Sequence, residues 1–257
     1  MIETTPIAKE SGHWYLPDGT PYYTVERKDG KGERPTTIRD ARKVNAAPSV
    51  TAITKQIVGP GLQYYFERQM FEATLRLKRT EGEDDDSLFK RARAESKVHA
   101  QERAEEGHKL HGAIEQYMRG EIVQHQRFLP HIENIIQTAS AYGVSFSGGD
   151  AERSFYHPLG FGGKCDFQDQ TNPLVVDFKN KPTIDDGKQY GYDEHVMQLA
   201  AYREGFGIST ARCMNFFVGI EDQKVRVIEW SEEDILAGWE QFKHLLMVWQ
   251  IKNKYAP

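Results

Sequence analysis

The sequence predicts an α+β fold, a mixed β-sheet flanked by helices with a large helical region ahead of it. Three observations lead there. Residues 49–142 read almost wholly as helix. After Gly148-Gly149 the pattern turns to short alternating or apolar runs typical of strands. Those runs are then interleaved with helices up to a closing one, which fits one sheet rather than two separate layers. The expected organisation is a single domain over 1–257, with an N-terminal hairpin and basic loop (1–48), a helical region (49–147) and a sheet core (148–257).

The elements follow in order. His13-Trp14-Tyr15 and Tyr22-Tyr23 flank Pro17-Asp18-Gly19, which reads as a hairpin turn. Residues 26–43 carry seven Lys/Arg among Gly and Pro and read as a loop. Ser49 or Thr51 is placed to cap a helix through 50–58, and Gly59-Pro60-Gly61 breaks it. A second helix fits 62–79, with Leu62, Tyr65, Phe66, Gln69, Met70, Ala73 and Leu77 near helical period. The acidic stretch 81–86 suits the start of a third, 87–120, expected to break or bend near Gly107. A fourth covers about 127–142. Beyond Gly149, 152–158 and 161–168 read as strands joined at His157-Pro158-Leu159-Gly160, and Leu174–Asn180 as a buried strand. A helix over 195–206, a hairpin around Glu221-Asp222-Gln223 and a final helix capped by Ser231 with Asp234 complete the chain.

Composition sets limits. With 33 Lys+Arg against 38 Asp+Glu, the formal charge is −5, which excludes a histone-like polycation but not a locally basic groove. No apolar run approaches the roughly 20 residues that span a bilayer, and the first ten residues carry no apolar signal core. Cys165 and Cys213 are too few for a disulfide framework or a four-thiolate cluster. A cytoplasmic protein of a bacterium or an infected host is expected.

The chemistry concentrates in Glu152, Asp166, Asp177 and Lys179. Strand alternation puts Asp177 and Lys179 on one face and Val176 and Phe178 on the other. By itself an Asp and a Lys two residues apart is an ordinary ion pair at a strand end. Asp166, however, lies a hairpin's distance upstream, and Glu152 sits on the strand before. Carboxylates brought together repel unless a cation lies between them. Oxygen ligands favour a hard ion, Mg²⁺ or Mn²⁺. On the next helix Gln198 and Tyr202 share a face at i and i+4. His99, His108 and His125 read as surface residues.

The order Glu152, Gly163-x-x-Asp166, Asp177-x-Lys179 and Gln198-x-x-x-Tyr202 resembles the PD-(D/E)XK nuclease superfamily in its RecB-like branch. Gly107 to His111 matches the branch's upstream histidine setting. The stretches 14–25 and 47–53 resemble the start of phage exonucleases and of the mitochondrial genome maintenance exonuclease. The resemblance implies a restriction-endonuclease-like sheet core and divalent-metal hydrolysis of DNA. It implies that His111, Asp166, Asp177 and the Phe178 carbonyl bind one or two Mg²⁺ or Mn²⁺ ions, with Glu152 helping through a second ion or a water. It assigns Lys179 to orienting the attacking water or stabilising phosphate charge, and Gln198 and Tyr202 to holding their surroundings. Beside a cation, Lys179 is expected to have a lowered pKa. The iron–sulfur cluster of some relatives is not expected with two cysteines. Asn180 stands where Thr or Ser is common.

DNA is the expected partner, single-stranded or with free ends, together with a recombination or single-strand-binding protein. Tyr64 and Tyr65 beside Lys78, Arg79, Lys90, Arg91 and Arg93 suit stacking and phosphate contacts. A helical region arched over the cleft would admit only a free end, which favours an exonuclease in phage or bacterial recombination or repair. A RecB-like endonuclease, a nuclease subunit of a larger complex and an inactive DNA-binding form of the same fold are the competing readings.

Overall fold

The structure, a computed structural model, describes residues 13–57 and 60–257, with backbone alone at 60–62 and 98–103. The first ten residues, Gly59 and the His99 side chain, which entered the sequence reading, lie outside the described residues. The protein is α+β. Strands β1 (Trp14–Tyr15), β2 (Thr24–Glu26) and β3 (Glu33–Pro35) precede helix α1 (Ile38–Val44), strand β4 (Ala47–Pro48) and helix α2 (Val50–Thr54). Helices α3 (Pro60–Arg76) and α4 (Asp85–Met118) follow, then a 3-10 turn (Gln126–Phe128) and α5 (Leu129–Ala141). The sheet is built from β5 (Asp150–His157), β6 (Phe161–Asp169), β7 (Leu174–Lys181), β8 (Arg212–Gly219) and β9 (Val225–Glu229). Helix α6 (Asp193–Gly205) connects β7 to β8, and α7 (Glu232–Asn253) closes the chain.

The five strands lie in chain order, antiparallel except for the parallel pair β7–β8. A parallel pair needs a crossover, and α6 supplies it. Both sheet faces are covered, so strand residues are buried on both sides. Cys165, Val175 and Cys213 pack with α2, α6 and α7 on one face. Phe167, Val176, Phe178, Met214 and Phe216 pack with α4 and α5 on the other. Among the described residues no helix is long and apolar enough to cross a membrane.

Several local expectations hold for the expected reason. Ser49 caps α2 by accepting from the Ala52 amide at 3.1 Å. Asp84 caps α4, with Asp85 and Asp86 in its first turn. Ser231 and Asp234 form the capping box of α7.

Other expectations are corrected. The first strand reaches across to β4 rather than forming a regular hairpin, although the turn does close, with an isolated bridge from Tyr15 to Pro21. The segment 26–43 is a second hairpin, β2–β3, followed by α1, not a loop. Asp40 makes the difference: it accepts a two-pronged bond from Arg34 at 2.7 and 3.0 Å and caps α1 through Thr37. Helix α4 runs through Gly107 without a break. That glycine is there for close approach: a Cβ on it would meet the Asn180 amide of β7 at 2.8 Å, and its carbonyl accepts from Asn180 Nδ2 at 2.9 Å. Phe66, expected on the apolar stripe of α3, is exposed.

One buried charge fastens α6 to α7. Arg203 is almost wholly buried and donates to the Glu232 carboxylate at 2.6 and 3.0 Å. Glu232→Ala leaves that guanidinium without its acceptor. Because Glu232 itself is open to water, the expected loss is about 1–2 kcal/mol, read as a lower urea midpoint at unchanged m-value.

Candidate metal and phosphate site

The site lies where β6 and β7 part. Their ladder pairs Asp169 with Leu174, Gln168 with Val175 and Phe167 with Val176, and then stops. The next opposed pair would be Asp166 and Asp177. Instead Asp166 turns its carboxylate into the fork and accepts the Phe178 amide at 2.7 Å. The alternation of β6 slips here as well: Cys165 faces one core and Phe167 the other, two residues apart. On β5, Glu152 stands opposite Asp166 between paired neighbours and has a left-handed backbone, φ 55°. A non-glycine residue in that region is uncommon within a strand and is held by its surroundings.

The fork is reached from both sheet faces. From α4, His111 brings Nδ1 to 3.6 Å from Asp166 Oδ2, and its ring stands edge-on to Phe178. Ligand atoms of His111, Glu152 and Asp166 all lie within 4.8 Å of one another. From α6, Gln198 fixes the other half. Its Nε2 donates to Asp177 Oδ1 at 2.9 Å and to the Tyr202 hydroxyl at 2.8 Å. Its Oε1 accepts from Lys179 Nζ at 2.8 Å. Lys179 also pairs with Asp177 Oδ2 at 2.8 Å. Asn215 on β8 donates to that same oxygen at 2.9 Å and accepts from the Trp230 indole at 2.8 Å.

Two linked groups result. His111, Glu152 and Asp166 form an open cluster of one imidazole and two carboxylates. Asp177, Lys179, Gln198 and Tyr202 form a hydrogen-bonded chain beside it. Asp177 is only 3% exposed, and its oxygens are engaged by Gln198, Asn215 and Lys179, so it stands outside the three-residue cluster. The seven residues expected near DNA lie elsewhere. Lys90, Arg91 and Arg93 are about 27–32 Å before His111 along α4, and α3 packs against that projecting part. Arg79 pairs there with Asp85, and Arg91 with Glu83 at 2.7 Å. Tyr64 is exposed and Tyr65 half-buried.

The electrostatics are those of crowded acids. Burial, then the neighbouring Asp166, pushes Glu152 up to about 7, although Lys164 pairs with it and pulls the other way. Burial works against Asp166 too, but His111, Lys179 and the Phe178 amide outweigh it and hold its pKa down. Burial leaves Asp177 raised despite Lys179 and further opposed by Asp166. Burial would lower His111, yet Asp166 raises it on balance. Burial would lower Lys179, yet Asp177 and then Asp166 outweigh it and raise its pKa.

An ion fits this donor set. Two carboxylates and one imidazole converge, and burial beside Asp166 raises Glu152 to about 7 even with Lys164 paired to it. The sequence reading passed over Lys164 and Asn215. Lys164 sits inside the quoted Gly163-x-x-Asp166 motif. Asn215 was legible as the single amide in the apolar run of β8.

No protein-family model matches the chain, and no curated protein matches it. Among solved structures, that of SSO0001 is similar at 14% identity, with 73% of this chain and 87% of that one covered and a TM-score of 0.27.

Proposed function

We propose that the chain is a divalent-metal-dependent deoxyribonuclease of the PD-(D/E)XK kind, RecB-like in its motifs and acting as an exonuclease on DNA ends. The observation that carries this reading is the fork: His111, Glu152 and Asp166 within 4.8 Å of one another, next to a buried Asp177–Lys179–Gln198 chain. Phosphodiester hydrolysis needs a nucleophilic water, relief of charge on the phosphate oxygens and a leaving oxygen held in place. His111, Glu152 and Asp166 would hold Mg²⁺ or Mn²⁺, with the Phe178 carbonyl as a further ligand. The ion supplies an activated water and neutralises phosphate charge when bound. Lys179, whose charge also acts on Asp166, would donate its ammonium to the attacking water or to a phosphate oxygen. Asp177 and Gln198 hold that ammonium in place, and Tyr202 and Asn215 hold them in turn. The projecting pair α3–α4, with Tyr64, Lys78, Lys90 and Arg93 on its surface, would guide a strand end. A place in phage or bacterial recombination or end repair follows from that substrate.

The test is purified protein with end-labelled single- and double-stranded DNA in Mg²⁺ or Mn²⁺. Release of mononucleotides or short products from ends, abolished by chelation, is the expected result. Cleavage of closed circular DNA would assign an endonuclease. Binding without cleavage under every metal would leave an inactive DNA-binding form of the fold. An Asp166→Ala variant that cleaves like the wild type would sink the site.

A further inference from the structure

Besides Lys164 and Lys179, the chain holds a further lysine next to the site that the motif does not use. Lys181 lies two residues beyond Lys179 on β7, so the two side chains leave the same face of the strand from backbone positions about 7 Å apart. Lys179 is neutralised by Asp177. Lys181 makes no ion pair among the described residues. Its Nζ stands 6.0 Å from the Tyr190 ring centre and 5.7 Å from that of Phe217. The ammonium thus lies near two aromatic rings, and the side chain is half-buried. The titratable neighbours on α6 are His195, whose ring packs on Phe217, and the exposed Glu194, which acts on both lysines only at a distance.

Two cations in line beside the acidic fork, one paired with a carboxylate and one not, ask for an anion. Burial and the field of Lys179 both work against the Lys181 charge. The same burial and the same lysines hold His195 down at about 3, so it adds no third positive charge. The spacing along β7 is comparable to that of successive phosphates on an extended nucleic-acid strand. We propose that Lys181 forms a second phosphate subsite, holding the phosphate next to the one at Lys179 and so setting the register of the strand. This rests on the nuclease reading and names a contact beyond its motif residues.

The experiment uses the full chain and Lys181→Met, which keeps the stem on Tyr190 and Phe217 and removes the charge, with Lys181→Arg as the conservative variant. Binding of a fluorescent oligothymidylate is followed by anisotropy in Ca²⁺ over a range of salt, and cleavage is followed in Mn²⁺. The expected result for Lys181→Met is a roughly tenfold higher Kd and KM, with kcat within about threefold. The slope of log K against log salt should be shallower by about 0.7, one single-strand phosphate contact. Lys181→Arg should restore both. A Lys181→Met protein of wild-type melting temperature with unchanged Kd, KM and salt slope overturns the subsite. If the wild type binds but cuts nothing, the nuclease reading fails while the anisotropy still decides the Lys181 contact. If the wild type does not bind the oligonucleotide, both fall.

Discussion

Lys179→Met is expected to lower the single-turnover rate of DNA cleavage by about 10²–10³-fold at saturating metal, with little change in DNA affinity. The stem is kept and only the ammonium is lost. That group is held by Asp177 and Gln198 at 2.8 Å each, so it arrives at the substrate already oriented. A donor of this kind acts on charge that develops in the transition state, and its loss falls on kcat rather than KM. The variant also has a stability signature. With its partner removed, Asp177 stays buried beside Asp166, and its pKa, already raised by burial, rises further. A carboxyl that holds its proton in the folded state and releases it near 4 when unfolded makes the folded state the better proton binder. Stability of Lys179→Met is therefore full at low pH and falls as pH rises through the unfolded value toward the folded one. Urea midpoints at pH 4 and pH 8 should diverge more for the variant than for the wild type. A rate within threefold of wild type would remove Lys179 from the chemistry.

Periodicity and capping chemistry made most of the fold legible. Ser49 and Ser231 each announce a helix start by a side chain able to take an orphan amide, and the acidic stretch 81–86 announces another by its charge. The apolar run Leu174–Phe178 announces a strand buried on both faces. Residues 26–43 read as a loop because charge and glycine dominate their composition, whereas Asp40 and Arg34 form a local lock that composition does not record. Gly107 shows the same limit of local reading. A helix glycine reads as a weak point from propensity alone, and here the missing Cβ admits Asn180 from a strand 73 residues away.

The candidate site was legible in its residue types and not in its geometry. Sequence spacing places Asp177 and Lys179 on one face of β7. It gives no sign that β6 changes face at Asp166, because that slip comes from a side chain replacing a ladder bond at the fork. It also expects Asp177 among the ion's ligands, while the fold surrounds that carboxylate with three side-chain donors. The basic residues near DNA were chosen by local clustering. Tertiary structure pairs Arg79 and Arg91 with acids of the same helical hairpin.

Mn²⁺ is expected to raise the melting temperature of the wild type, and Asp166→Asn to abolish the rise. A ligand at a hundred times its Kd adds about 2.7 kcal/mol to the folded state, which is roughly 5–10 °C for a chain of this size. Asp166 is central to the effect because it alone contacts both His111 and the Phe178 amide. The Asn side chain can still bond locally but brings no charge to the ion. The shift also carries a pH signature. Glu152, at about 7 without metal, and His111, raised by Asp166, each have to shed a proton before they can act as ligands. Metal affinity should therefore climb as pH rises toward and through neutrality and then level off once both are deprotonated. Without metal the sign reverses. Glu152 keeps its proton in the folded chain between about 4 and 7 while the unfolded chain has released it. The chelated protein accordingly loses stability as pH rises over that window, and Mn²⁺ removes the loss. Melting temperatures across pH 5 to 8, with chelator and with Mn²⁺, should therefore separate as pH rises. Parallel curves at every pH would mean that no ion sits among His111, Glu152 and Asp166.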